Sequence, residues 1–265
     1  MAPRDITLAH DRAGSGEALA LVHPLGADRG VWTPVMERLA AHHDVIAVDM
    51  PGFGESRELA DDAPATAQRI AAELGATLDS LGVGQAHVAG ISLGGWVALE
   101  FAKLERCLSV TGLCPAGFWT RPLGPRPEAA RGGARALVPL LRPLLQTERG
   151  RHLLLRGSIA HPERVPGADA YRLVRSYAVS PGFARANAEM RKTVFSGLED
   201  IRVPITLAWA DRDRLVSPPR SVPPGVHTVR LRDCGHVPTW DSPDQVAAAI
   251  LQTTARAARP VSSGA

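Results

Sequence analysis

The stretch Ala86-His87-Val88-Ala89-Gly90-Ile91-Ser92-Leu93-Gly94-Gly95 decides how this chain is read. The apolar run Ala86 to Ala89 reads as a strand, and an apolar helical stretch follows from Gly95 to Lys103. Between them the backbone has to bend sharply, and Gly90 and Gly94 stand two residues on either side of Ser92. Glycines at that spacing remove the side chains that such a bend would bring into collision, so the turn can hold a serine in a strained conformation with its Oγ exposed. The spacing alone is a weak motif. Its position between strand and helix, and the partners available elsewhere in the chain, give it weight.

Working outward, further apolar runs at Ala18 to Val22, Val45 to Val48, Leu108 to Leu113, Ile205 to Ala208 and Val226 to Leu231 also read as strands. Most are continuous rather than alternating, as expected of strands covered on both faces. Helical patterns lie between them at Val31 to Ala41, Ala65 to Leu81, Trp96 to Lys103 and Pro243 to Ala257. Strand alternating with helix predicts an α/β fold with a mainly parallel sheet flanked by helices. The alternation stops after Cys114. From Phe118 to Leu198 eight prolines punctuate amphipathic segments such as Ala134 to Leu145 and Ala168 to Tyr177, which predicts an inserted set of short helices capping the strand ends. The expected organisation is a core of residues 1–117 and 199–258, a helical cap over 118–198, and a frayed tail over 259–265.

A serine hydroxyl needs a base to take its proton and a carboxylate to orient that base. His236, in Asp233-Cys234-Gly235-His236-Val237-Pro238 just past the last strand, is the best-placed histidine for that role. The carboxylate is sought after another strand end, where Trp209-Ala210-Asp211-Arg212-Asp213 offers both Asp211 and Asp213.

Composition limits the alternatives. At 265 residues the chain can bury a substantial core as one domain with an insertion. No run approaches the roughly eighteen apolar residues of a membrane span, and residues 1–20 contain no apolar leader block, so a soluble, cytoplasmic protein without a membrane partner is expected. The three cysteines, Cys107, Cys114 and Cys234, fit neither a disulfide framework nor a metal-ligand spacing, and no metal or cofactor is implied. The net charge of +3 divides unevenly: residues 118–198 hold 13 Arg and one Lys against five acids, or +9, which leaves −6 elsewhere. Without interleaved aromatic residues this does not read as a nucleic-acid platform, and a solvated helical surface is expected.

In the order serine elbow, aspartate, histidine, the chain resembles the α/β-hydrolase family over Ile6 to Ala257. The family's usual Trp-Gly-x-x-Asp motif, matched to Trp209 through Asp213, implies Asp213 as the catalytic acid and leaves Asp211 a turn residue. The resemblance also implies an oxyanion hole from the backbone N–H groups of Leu93 and of Leu25, the latter in Leu21-Val22-His23-Pro24-Leu25-Gly26, with His23 bracing that loop. Asp49-Met50-Pro51-Gly52-Phe53-Gly54-Glu55-Ser56 matches another family turn. Phe53, Trp119 and Val237 are expected as pocket wall.

A serine at the elbow sets the chain apart from the family's epoxide hydrolase and haloalkane dehalogenase branches, which place aspartate there. It looks most like the enol-lactonase and small carboxylesterase branches. The implied activity is serine-dependent cleavage of a small ester, lactone or related carbonyl substrate. Non-hydrolytic members of the fold (a cyclase, acyltransferase or C–C bond lyase) and a slow-turnover ligand receptor are the alternatives, and a homodimer is compatible with the sequence.

Overall fold

The computed structural model describes residues 7–60, 63–124 and 129–257. Seven strands form one sheet: β1 (His10–Ala13), β2 (Ala18–Val22), β3 (Asp44–Val48), β4 (Ala86–Ile91), β5 (Cys107–Leu113), β6 (Ile205–Ala210) and β7 (Val226–Leu231). In space they run β1-β3-β2-β4-β5-β6-β7, with β1 antiparallel to β3 and the other neighbours parallel. β1 was not expected, because His10-Asp11-Arg12-Ala13 has no apolar run. It holds the sheet edge by backbone pairing and by the Arg12 guanidinium, which donates to both oxygens of Asp44 at 2.8 and 2.6 Å.

β2 and β4 are buried along their whole length. Side-chain alternation sends Ala20 and Val22 into one apolar layer and Leu19 and Leu21 into the other. The first layer contains Ile70, Leu74 and Leu78 of α2 (Ala67–Ser80) together with Val97 and Phe101 of α3 (Leu93–Phe101). The second contains Val35 and Leu39 of α1 (Thr33–Ala40), with Val246 and Ile250 of α8 (Pro243–Ala257). Sheet strands covered on both faces explain the continuous apolar runs.

Strand order places the functional loops. From β2 the chain goes to β3 on one side and returns to β4 on the other, so the strand order reverses around β2. Loops leaving the carboxyl ends of strands at such a reversal diverge and leave a crevice. Val22 pairs in register with Gly90, which sets the loop after β2 beside the turn after β4. The approach is close: a Cβ on Gly94 would lie 2.2 Å from the carbonyl oxygen of Val22 and 2.5 Å from that of His23.

Between β5 and β6 lie α4 (Ala129–Leu145), α5 (Glu148–Leu155), α6 (Gly167–Val179) and α7 (Phe183–Lys192), with no strand among the described residues. Several arginines of this helical insertion are not simply solvated, as the sequence suggested, but fasten backbone. Arg151 donates to the carbonyls of Leu145 and Gln146, Arg164 to that of Asp241, Arg185 to those of Leu59 and Ala63, and Arg191 to those of Leu123 and Gly124. Arg172 pairs with the buried Asp28 at 2.7 Å. The amide of Gly182 donates to the carbonyl of Gly52, joining the insertion to the loop after β3. Among the described residues no helix is long and apolar enough to cross a membrane. The expected tail at 259–265 lies outside the described residues.

The crowding at Gly94 yields a direct test. Gly94→Ala should lower the unfolding free energy by about 3 kcal/mol or abolish folding, since backbone rather than a flexible side chain must move. Gly84→Ala, where a Cβ would meet nothing within 4 Å, should change it by less than about 0.5 kcal/mol. Urea denaturation of the two variants compares them.

Candidate active site

Ser92 separates β4 from α3 and has φ 55° and ψ −118°, a conformation that non-glycine residues rarely adopt. Strain of this kind costs on the order of 1–3 kcal/mol and persists only where the surroundings enforce it. Here they do. The Ser92 amide donates to Leu113 at the end of β5, and its carbonyl accepts from both Trp96 and Ala116, so its backbone is fixed on both sides. A Cβ on Gly90 would fall 2.1 Å from the carbonyl oxygen of Gly94, which is why the residue two before the serine has no side chain. Ser92 is 8% exposed.

Leu93 is the first residue of α3, so its N–H lacks an intrahelical acceptor. Among the described residues it has no other, and the same is true of the Leu25 N–H. The loop carrying Leu25 is braced by His23, which is fully buried. Its Nε2 accepts from the amide of Met50 at 2.9 Å, which leaves Nδ1 as the protonated nitrogen, 2.8 Å from the carbonyl of Pro24. Burial holds the His23 pKa below the ordinary histidine value, in keeping with a neutral ring that uses both nitrogens. The ring of Phe53 packs edge-on against it at 5.3 Å.

Asp213 follows β6. One carboxylate oxygen accepts from the amides of Leu215 and Val216 at 2.7 and 3.1 Å, and the other faces His236 Nδ1 at 2.7 Å. Burial alone would raise its pKa. The hydrogen bond from His236 and its charge when protonated, together with the two amides, outweigh burial and hold Asp213 below the usual aspartate value. The carboxylate therefore stays ionised and fixes which imidazole nitrogen carries the proton. Asp211 instead accepts from the amide of Asp233 at 2.8 Å and shapes the loop before His236.

Asp241 was not singled out from sequence. It is 2% exposed, and its carboxylate accepts from the amides of Gly235, Ala160 and His161 at 2.7, 3.0 and 2.7 Å. One side chain thus fixes the histidine loop and latches the helical insertion to it, and the Val237 amide adds a bond to the Ser158 carbonyl at 2.8 Å. Its position just before Ser242-Pro243 at the head of α8 reads in sequence as an ordinary helix start, which conceals this role.

Cys114, at the end of β5 with φ 45°, also borders the pair. Its Sγ accepts from the Ala210 amide, and lies within 4.8 Å of an Asp213 oxygen and a His236 nitrogen. Burial, reinforced by the charge of Asp213, pushes its thiol far above the usual range, so it is a neutral wall and not a nucleophile. That neutral thiol, and an imidazole nitrogen already hydrogen-bonded to the carboxylate, make this trio a poor metal-ligand set.

The three expected wall residues have different surroundings. Phe53 is 1% exposed against His23. Trp119 donates to the Thr193 carbonyl and packs edge-on against Trp96, while Val237 lies on the histidine loop. A cavity of about 670 Å³ opens beside β6 and β7, where the proline-rich segment 211–225 supplies no covering helix. Asp213 is in its wall, but Ser92 and His236 are not.

An Asp241→Asn variant should lose at least one of its three charge-assisted bonds, lowering the unfolding free energy by about 2 kcal/mol in urea denaturation. Loosening of the His236 loop should also raise hydrogen exchange at Gly235 and His161 together.

Comparison with known proteins agrees with this fold. A model of the alpha/beta hydrolase family matches residues 19–249. The epoxide hydrolase EphH of Mycobacterium tuberculosis is 31% identical over 185 residues, which are 64% of this chain and 86% of that protein. A pimeloyl-acyl-carrier-protein methyl ester esterase of Aeromonas salmonicida is 29% identical over 261 residues, 91% of this chain and 96% of its own. A thermophilic esterase from Thermogutta terrifontis superposes with a TM-score of 0.72 at 25% identity, covering 97% of this chain and 96% of that one. The chain belongs to the α/β-hydrolase family.

Proposed function

We propose that this chain is a serine hydrolase that cleaves an ester or lactone of a small to medium organic substrate through an acyl-enzyme. The reading is carried by a strained serine at a strand-to-helix turn and, at the same end of the sheet, an Asp213–His236 hydrogen bond of 2.7 Å. His236, with Nδ1 directed to Asp213, presents Nε2 as the base that takes the Ser92 proton. Ser92 Oγ attacks the carbonyl carbon, and the negative charge on the carbonyl oxygen is met by the unengaged N–H groups of Leu93 and Leu25. Protonated His236 gives its proton to the departing alkoxide. Water, deprotonated by His236, then releases the acid and regenerates Ser92.

Elementary chemistry separates this from epoxide opening, despite the similarity to EphH. A serine that opened an epoxide would form an ether, which water does not release, whereas attack on a carbonyl gives an ester that does turn over. The methyl ester esterase and the thermophilic esterase among its relatives favour the same reading. With Ser92 almost covered, and residues 158–161 of the insertion latched to the histidine loop, the insertion acts as a cap that must shift for substrate to enter.

The test is intact-mass analysis after exposure to a fluorophosphonate. The native protein should gain one adduct, Ser92→Ala none, and His236→Ala should react far more slowly. Turnover of an activated ester should fall by about 10⁴ to 10⁶ in either variant and by somewhat less in Asp213→Asn. Folded native protein that remains unlabelled, or Ser92→Ala labelled like the native chain, contradicts the proposal.

A further inference from the structure

A helix packed on a protein needs one apolar stripe, and that of α4 is wider than its attachment uses. Val138 and Leu145 are buried, at 4% and 0% exposure, and account for its attachment. Beside that buried edge Leu137, Leu140 and Leu144, at i, i+3 and i+7, are 53%, 70% and 37% exposed, and α5 adds Leu153 at 63% and Leu154 at 37%. The rings of Pro139 and Pro143, also exposed, widen the same apolar face.

The charge around that face has one sign. Arg135, Arg142, Arg149 and Arg156 are all exposed, and between residues 135 and 156 the single acid is Glu148. Among the described residues none of these four arginines forms an ion pair, though Arg142 also lies over the ring of Tyr171 at 5.9 Å. This contrasts with Arg151, Arg164, Arg172, Arg185 and Arg191, which fasten the insertion to itself and to the core. The insertion carries +9 and the remainder of the chain −6, so the molecule is polarised toward this side.

We propose that α4 and α5 form a peripheral docking surface for an anionic phospholipid bilayer, the leucines entering the headgroup boundary and the arginines pairing with lipid phosphates. Charge selects this occupant. A second copy would set two strongly basic faces against each other, and a nucleic acid would meet the arginines but leave the leucines in water. Protruding leucines and prolines, with exposed arginines along the margin of α4 and on α5, suit a fluid surface that needs no complementary pocket. The sequence reading expected no membrane partner because no spanning segment exists, and peripheral docking requires none. The inference does not depend on the proposed chemistry, so Ser92→Ala should dock as the native chain does.

The experiment is co-sedimentation of the full chain with vesicles of phosphatidylglycerol and phosphatidylcholine, and with phosphatidylcholine alone, at low and at raised salt. Each basic side chain near an anionic leaflet is worth roughly fivefold in binding. The native protein should bind the anionic vesicles, bind neutral ones at least tenfold more weakly, and be released by salt. Leu140→Asp with Leu153→Asp, and separately Arg135→Glu with Arg149→Glu, should each weaken binding at least tenfold. These side chains are exposed, so thermal unfolding should be unchanged. Native protein that ignores anionic vesicles overturns the proposal, as does binding that survives both double variants. A dimer in light scattering that Leu140→Asp with Leu153→Asp dissociates, without vesicle binding, assigns the face to a second copy and also overturns it. Vesicle indifference combined with salt-sensitive capture of an acidic protein through the same arginines would do so as well.

Discussion

The close approach of Gly94 to the carbonyls of Val22 and His23 is the constraint on which the rest of the site depends. It lets the first turn of α3 lie against the loop leaving β2. That contact leaves the bend at Ser92 no relaxed alternative and holds the N–H groups of Leu93 and Leu25 over adjacent strand ends. The strained backbone is stabilised by ordinary sheet and turn hydrogen bonds from Leu113, Trp96 and Ala116. Strain at Ser92 is thus a consequence of packing elsewhere, and the hydroxyl occupies the point that packing leaves for it.

Around that point buried carboxylates act as organisers. An isolated buried charge would be prohibitively unfavourable, so each is surrounded by donors. Asp49, fully buried, accepts from the amides of Arg29 and Glu55 and from the Arg29 guanidinium, holding the loop after β3. Asp213 fixes His236, and Asp241 fixes the loop on which His236 stands. Backbone amides supply most of the donors, so each aspartate sets the path of a loop as well as the charge near the site. Residues distant in sequence, such as Ala160 and Gly235, are joined through one carboxylate.

Much of this was legible in the sequence because it rests on local rules. Apolar runs, most of them continuous, marked six strands, since strands covered on both faces have no polar side to alternate with. Gly90, Ser92 and Gly94 were readable because a bend between strand and helix dictates its own residue types. β1 was hidden because an edge strand is held by backbone pairing, which leaves little trace in side-chain composition. Asp241 was hidden for a different reason: two of its three partners come from a segment about eighty residues earlier, and its local context is that of a helix start. The mixed duty of the insertion's arginines was also unreadable, because an arginine that reaches a carbonyl across an interface and one that faces water look the same in a chain rich in both.

The two halves of the site are held by different parts of the chain. Ser92, Leu93 and Leu25 stand just past strand ends, while the loop of His236 is shared with the insertion through Asp241, so movement of the insertion would be felt at His236 before Ser92. The central claim is that Ser92 itself carries the acyl group. The most direct measurement is rapid acid quench of the native protein during turnover of an activated acyl ester, followed by intact-mass and peptide mapping. The account predicts a transient adduct of one acyl group on the peptide containing Ser92, formed faster than steady-state turnover. Turnover with no covalent intermediate, or an acyl group mapped to another residue, would contradict it.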